Sequence, residues 1–265
     1  MIVVQYCFVM YMNIFRKLTI RGVNADRTIL FGETTTDNEK QEVYKLRYKI
    51  YSEQGYIDST KYSNLFETDE YDSVGKSQYF IAAIKEKDNL RLIGCIRSIF
   101  SDVLPTELAF YIKEPEELRS IPRANRFEIG RFVIVPPDKL KKDYLPRGIV
   151  MLFLLNTVSN YAIKKNLLGG YAFIKQSLNI KLRRLKFPVG YIKEYKQHYP
   201  KHGVLYKYFT QVNDPVIPIF FVTKLFFQYT ENIICNRFMF RREGDNTFLF
   251  RSNVYTYILK VLKIL

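Results

Sequence analysis

Phe127-Glu128-Ile129-Gly130-Arg131-Phe132-Val133-Ile134-Val135 has the composition of a buried β-strand, and Pro136-Pro137 stops it. Two opposite charges interrupt it. Strict alternation puts Glu128 on one face and Arg131 on the other. Gly130 between them makes room for a bulge, which brings both side chains into one cleft. Other charges occupy similarly apolar settings. Arg97 follows Ile93-Gly94-Cys95-Ile96, and Arg47 lies between Leu46 and Ile50. Asp69 and Asp72 lie in an acidic loop between these two arginines. Buried charges are costly unless paired, so the set is either a structural ion-pair network or a polar site.

Working outward, Thr36-Asp37-Asn38-Glu39 has the form of a capping box that opens a helix running to about Gln54. Val43, Leu46 and Ile50 fall at helical spacing as its inner stripe, and Gly55 ends it. Residues Gln78–Ile84 and Leu90–Phe100 read as a hairpin, with Gly94 marking a bulge or a close approach. Glu107–Arg126 is a polar excursion with room for a short helix. Ile149–Ile163, closed by Lys164-Lys165, reads as a buried helix. Tyr171–Ile174 is a strand, Gln176–Leu185 a basic amphipathic helix, and Val204–Val212 another strand. Phe220–Cys235 reads as an amphipathic helix, and a turn is expected at Glu243-Gly244-Asp245-Asn246. Helices inserted between neighbouring strands give a mixed α/β sheet. The expected division is an N-terminal extension (1–35), a central domain (36–212) and a C-terminal, helical extension (213–265).

The formal net charge of +15 is concentrated. Lys139–Thr210 holds 15 Lys and Arg against Asp143 and Glu194, a local balance of +13. Such a face favours an acidic partner: nucleic acid, an anionic membrane, a phosphate-bearing cofactor or an acidic carrier protein. No nucleic-acid recognition motif accompanies the charge, so nucleic acid is not expected. Cys7, Cys95 and Cys235 make neither a disulfide framework nor a zinc site. His198 and His202 are four apart, but Pro200 disfavours a shared helix face; no metal site is expected. Met1–Phe15 is too short and poorly flanked for a signal peptide or spanning helix. The basic segment Val254–Leu265, with Lys260 and Lys263, suits peripheral membrane contact.

The charged residues, taken in order, resemble the signature of the acyl-homoserine lactone synthases. An early helix carries Arg47 and, four residues on, the aromatic Tyr51. An acidic box follows with Glu67, Asp69 and Asp72. A strand then reads Gly94-Cys95-Ile96-Arg97, and the last piece is Glu128, Arg131 and Phe132. Leu104-Pro105-Thr106-Glu107 and Leu46–Tyr51 are closer to the related N-acyl amino acid synthases. The resemblance spans roughly Thr36–Val212 and implies a GNAT-like fold, the architecture of the Gcn5-related N-acetyltransferases. It shifts the reading of Glu128 and Arg131 toward a site. Two departures stand out. The lactone synthases carry a Trp about ten residues after the early Arg, near their adenosylmethionine pocket, where this chain has Ile57. The glycine-rich acetyl-coenzyme A motif is also missing from Leu140–Gly148, although cations remain there.

The resemblance implies a cytoplasmic acyltransferase that moves a fatty acyl group from a thioester to a primary amine, most simply an amino acid. The donor is an acyl-carrier protein or acyl-CoA, with no tightly bound cofactor. Glu128, Arg131 and Arg97 are the catalytic candidates, Glu128 as base. Backbone N–H groups around Phe132–Val135 are the oxyanion candidates. Arg47, Tyr51, Glu67, Asp69, Asp72, Phe132 and Val133 are the substrate-binding candidates. Lys141, Lys142, Arg147, Lys181, Arg183, Arg184 and Lys186 would steer an acidic carrier. The rival readings are a lactone synthase using adenosylmethionine, and a non-catalytic protein that binds an acyl carrier or a membrane surface.

Overall fold

The computed structural model describes residues 12–21, 26–73, 75–86, 89–136 and 147–251. The chain begins with two antiparallel strands, β1 (Asn13–Ile20) and β2 (Arg27–Glu33), in which Phe15 is the extra residue of a bulge. Helix α1 (Asp37–Glu53) starts at the expected capping box. The Thr36 hydroxyl accepts the Glu39 N–H at 3.3 Å, and the Glu39 carboxylate accepts the Thr36 N–H at 3.1 Å. Gly55, at φ 66°, takes the left-handed conformation that closes the helix. The acidic loop contains one 3-10 turn (Ser59–Lys61) and the short α2 (Glu70–Ser73).

The hairpin β3 (Ser77–Glu86) and β4 (Asn89–Ile99) follows. Ala82 pairs with Gly94 and Ala83 with Leu92, so Ile93 bulges beside Gly94. A Cβ on Gly94 would lie 3.0 Å from the Val133 carbonyl oxygen, so the sequence signal marks both a bulge and a close approach. Then come α3 (Pro105–Ala109), β5 (Phe110–Ile112), α4 (Glu116–Arg119) and β6 (Arg126–Ile134). Helix α5 (Arg147–Lys164) crosses to β7 (Gly169–Lys175), which runs parallel to β6. The chain continues through α6 (Gln176–Arg184), β8 (Val189–Tyr191), β9 (Tyr195–Gln197) and α7 (Tyr206–Phe209). It then forms β10 (Val216–Val222), α8 (Thr223–Ile234), β11 (Phe240–Gly244) and β12 (Thr247–Phe250).

The main sheet has the order β11-β12-β1-β2-β3-β4-β6-β7-β10-β8, and β5 pairs with β9 apart from it. Both faces are covered. Along β3, Phe80, Ala82 and Ile84 join the α5-side core, while Tyr79, Ile81 and Ala83 join the α1-side core. This is the period of two expected of a strand buried on both faces. Helix α5 presents Val150, Phe153, Leu154 and Val158 to the first core, each nearly or fully inaccessible. Full burial of one such side chain contributes about 1.5–3 kcal/mol.

Several expectations are corrected. Residues 13–20 and 27–33, in the part read as an N-terminal extension, are strands of the main sheet. β10, which follows position 212, lies between β7 and β8 in the same sheet. The described part of the C-terminal segment, residues 213–251, is only partly helical. Phe220–Val222 completes β10, α8 follows, and β11–β12 turns at Asp245-Asn246 and adds to the sheet edge. Val204–Val212 is not a strand; Leu205 and Phe209, four residues apart, both bury against the α1-side core around α7. Residues 252–265 and Lys139–Pro146, including Lys141 and Lys142, lie outside the described residues.

Candidate active site

Strands β6 and β7 are paired only at their start. Their register runs from Arg126↔Gly169 to Glu128↔Tyr171, whereas β7 stays paired to β10 through Lys175↔Val216. Past Glu128 the two strands separate, and this splay is where the chemical groups gather. Gly170 sets the closed end. A Cβ there would fall 1.7 Å from the Phe127 carbonyl oxygen, so only glycine permits this approach.

Glu128 is buried, at 1% exposure. One carboxylate oxygen accepts the Thr106 N–H at 2.7 Å, and the other, Oε1, has no partner among the described residues. Burial pushes its carboxyl up to about 8, and the Thr106 N–H offsets this only in part. Thr106 belongs to the Leu104–Glu107 segment, where the Glu107 carboxylate accepts the Leu104 N–H at 2.9 Å and fixes the start of α3. The Nε–H of Arg97, also buried, likewise lacks a hydrogen-bond partner.

The expected bulge is present, but Gly130 is not its strained residue. Gly130 pairs with Arg97 and Val133 with Cys95, so Arg131 and Phe132 together oppose Ile96. Arg131 itself takes the left-handed φ of 52°. The extra residue turns the Arg131 side chain onto the face that carries Glu128, Arg97 and α1.

On that face, six charged residues close a ring. Arg47 pairs with Glu67, and Glu67 with Arg131 at 3.0 Å. Arg131 pairs with Asp69 at 2.7 Å, and Asp69 with Arg97 at 2.7 Å. Arg97 pairs with Asp72 at 2.6 Å, and Asp72 with Arg47 at 3.0 Å. Three cations and three anions alternate, so the ring is neutral as a whole. All six are nearly inaccessible, which such a network tolerates only because every charge has two opposite neighbours. Burial alone would raise the Asp69 and Asp72 carboxyls, but the arginines outweigh it and hold both below the usual range. Burial opposes the charge on Arg47 too, and Glu67 with Asp72 restores it. Tyr79, which sequence reasoning missed, donates its hydroxyl to Asp72 and lies 3.3 Å from the Tyr44 hydroxyl. Tyr79 occupies an unremarkable strand position, so only the fold reveals it.

The remaining candidates divide. Tyr51 and Val133 bury on the ring side. Phe132 packs against the α5-side core, on the opposite side of the sheet from the ring. Arg147 opens α5 and donates to the Ile134 carbonyl at 3.3 Å. Lys181, Arg183, Arg184 and Lys186 are exposed on and after α6, with the Arg183 guanidinium 4.6 Å from the Tyr191 ring centre. His198 stacks on Tyr111 with ring centres 3.9 Å apart.

The sequence profile of the autoinducer synthase family matches residues 33–212. The chain belongs to the autoinducer synthase family. That stretch runs from the end of β2 to just before β10 and contains Glu128, the ring and the splay. As a member of this family the protein is an acyltransferase, and its sheet is mixed, with helices between neighbouring strands, as the sequence leads one to expect. No curated protein matches the sequence. Among solved structures, the chain is similar to the acyl-homoserine lactone synthase LasI, with 15% identity over 74% of this chain and 90% of that one, and a TM-score of 0.49. It is similar to FeeM, an N-acyl amino acid synthase from uncultured soil microbes, with 16% identity, 76% and 99% coverage, and a TM-score of 0.44. A GNAT-family acetyltransferase from Staphylococcus aureus shows 14% identity, 74% and 99% coverage, and a TM-score of 0.42. Among the described residues, no helix is long and apolar enough to cross a membrane.

Proposed function

We propose that this autoinducer synthase family member transfers a fatty acyl group from an acyl-carrier protein thioester to the amine of an amino acid, with Glu128 as general base. The carrying observation is the open Glu128 oxygen, Oε1, buried at the mouth of the β6–β7 splay. The amine arrives neutral and attacks the thioester carbon. As the C–N bond forms, the nitrogen passes one proton to Glu128. The C–S bond then breaks, and Glu128 returns the proton to the leaving thiolate. The products are the N-acyl amino acid and the carrier thiol. The raised carboxyl suits a group that takes and returns one proton near neutral pH.

The thioester oxygen needs a donor as it gains charge. The Val135 N–H is already taken by the Ile93 carbonyl at 2.9 Å. Alternate residues of a strand hydrogen-bond to opposite sides, so Ile134 directs its N–H away from β4, toward the splay. Its carbonyl, bonded by Arg147 rather than by β4, supports that orientation. Within the expected group Phe132–Val135, Ile134 is the donor this orientation supports. Arg97 and Arg131 act as positioning residues: each is committed to two carboxylates, and together they hold the acidic loop over the splay. The exposed cations of α6 and Arg147 supply the field that an acidic carrier protein follows.

The family match favours a second reading, lactone synthesis from adenosylmethionine. Ile57, in place of the expected Trp, is buried at 3% and argues for the first. The test is expression of wild type and Glu128→Gln in a bacterial host, with mass spectrometry of lipid extracts. N-acyl amino acids made by wild type and lost in the variant support the proposal. Acyl-homoserine lactones would replace it with the second reading. Folded protein that transfers no acyl group from purified carrier thioesters to any amine would overturn both.

A further inference from the structure

The Glu128 carboxylate is sealed. Its Oε1 has no hydrogen-bond partner among the described residues, yet the side chain is only 1% exposed. An acceptor reaches that oxygen only if a group around it gives way. Four elements supply such groups. On β4, Ile99 is the register partner of Glu128, so Arg97, two residues along, shares its face. From α3, the Thr106 N–H holds the other carboxylate oxygen at 2.7 Å, and Glu107 is the next residue. On β7, Tyr171 is the register partner. The fourth group is Tyr71 of α2. Its ring centre lies 5.9 Å from the Arg97 guanidinium carbon. Burial pushes its phenol up to about 12, and the carboxylates of Glu70 and Glu128 add to this, which places Glu128 within reach of its field.

Three of the four are fixed. Arg97 is committed to Asp69 and Asp72. The start of α3 is held by the Leu104–Glu107 hydrogen bond, and β7 is paired on both sides. Tyr71 differs. Its backbone is pinned, since its N–H donates to Asp69 Oδ1 at 3.1 Å and the flanking Asp69 and Asp72 belong to the ring. Its side chain is not pinned. It is buried, at 8% exposure, but joins none of the three apolar clusters, and its hydroxyl makes no hydrogen bond among the described residues. Rotation about its Cα–Cβ bond between staggered positions breaks no ion pair, whereas lifting the loop would separate buried charges.

We propose that Tyr71 determines acceptor specificity: its ring covers Glu128 until an amine displaces it, and the bulk at position 71 sets both the access of water to the carboxylate and the size of amine admitted. The proposal rests on the acyl-transfer reading given above and adds what selects the acceptor. The ring does this, not the hydroxyl, so Tyr71→Phe keeps the cover and Tyr71→Ala removes it.

Carbon-13 NMR of the full chain, labelled at the glutamate carboxyls, reads the cover without turnover, and Glu128→Gln assigns the resonance. The Glu128 midpoint should lie at about 8 in wild type and in Tyr71→Phe. It should fall by about one unit or more in Tyr71→Ala as water enters. An unchanged midpoint in folded Tyr71→Ala, or an equal fall in Tyr71→Phe, would overturn the proposal. If Tyr71→Ala does not fold, Tyr71→Val takes its place, with a smaller fall expected and an unchanged midpoint counting equally against.

In transfer from carrier thioesters to a series of free amino acids, Tyr71→Ala should raise kcat/KM for the largest side chains relative to glycine about tenfold, the scale on which a pocket sorts by size. A merely structural loss would lower all acceptors together and leave that ratio alone. An unchanged ratio with transfer intact overturns the proposal and leaves the acyl-transfer reading standing. If the midpoint falls as expected while no amine is acylated by any of these proteins, the cover stands and the acyl-transfer reading fails.

Discussion

Arg131 reaches the face of β6 that carries Glu128, three residues away, because the bulge at Arg131-Phe132 passes through a left-handed φ at Arg131. A charged L-residue in that conformation is strained, and glycine is not. Arg131→Gly and Arg131→Ala both remove the pairs to Glu67 and Asp69. Only the alanine variant keeps the backbone strain. The glycine variant is expected to be more stable than the alanine variant by about 1 kcal/mol. Urea unfolding of both decides; equal stabilities would mean the bulge relaxes when the ion pairs are gone.

Glu128 gives a pH signature with a defined sign. Its folded-state carboxyl titrates at about 8, against an ordinary value of 4.5. Between those values the folded state holds a proton that the unfolded state releases, so stability falls as pH rises through the window. Glu128→Gln removes that loss. The variant should gain thermal stability relative to wild type from pH 5 to pH 9, with melting curves as the check. Catalysis runs the other way. Wild-type kcat/KM should rise with pH and level off above about 8, and Glu128→Gln should lose about 100- to 10,000-fold.

The neutrality of the six-residue ring predicts a compensation. Arg47→Gln leaves one buried negative charge uncancelled and should cost about 3–5 kcal/mol. Adding Glu67→Gln restores neutrality and should recover a large part of that loss. The four proteins of this cycle, unfolded in denaturant, give the coupling directly. Additive losses in the double variant would show that the ring acts as separate pairs.

The closed end of the splay is set by one missing methyl group. Gly170→Ala would drive a Cβ into the Phe127 carbonyl and push β6 from β7 where they are paired. Overpacking of this kind should cost roughly 3 kcal/mol, a fall in Tm of about 6–12 °C. A melt within one degree of wild type would mean that the strands part without cost.

Local signals in the sequence located α1, the β3–β4 hairpin, β6 and α5, since a capping box, a period of two and an apolar run need no distant partner. The charges at Arg47, Glu67, Asp69, Asp72, Arg97 and Arg131 were legible as misfits within these elements. Their closure into a ring was not, because it depends on a loop folding back over two strands. The bulge was legible through Gly130, but the strain fell on Arg131, since a strand pattern does not say which residue rotates. The short β8 and β9 lie in a run of mixed polarity with no alternation to read. Leu205 and Phe209 fit helical spacing, and the surrounding β-rich composition masked it.

The parallel pairing of β1 with β12 has a consequence for synthesis of the chain. Arg16 and Asn246, joined by a side-chain hydrogen bond, are 230 residues apart. The ribosome must make almost everything in between before β1 gains its outer neighbour. Until then Leu18 and Ile20 lie on an open strand edge, the kind of surface on which nascent chains associate wrongly. A chaperone that shields the first strand during translation would matter more for this protein than for one whose first strand is flanked on both sides by strands made soon after it.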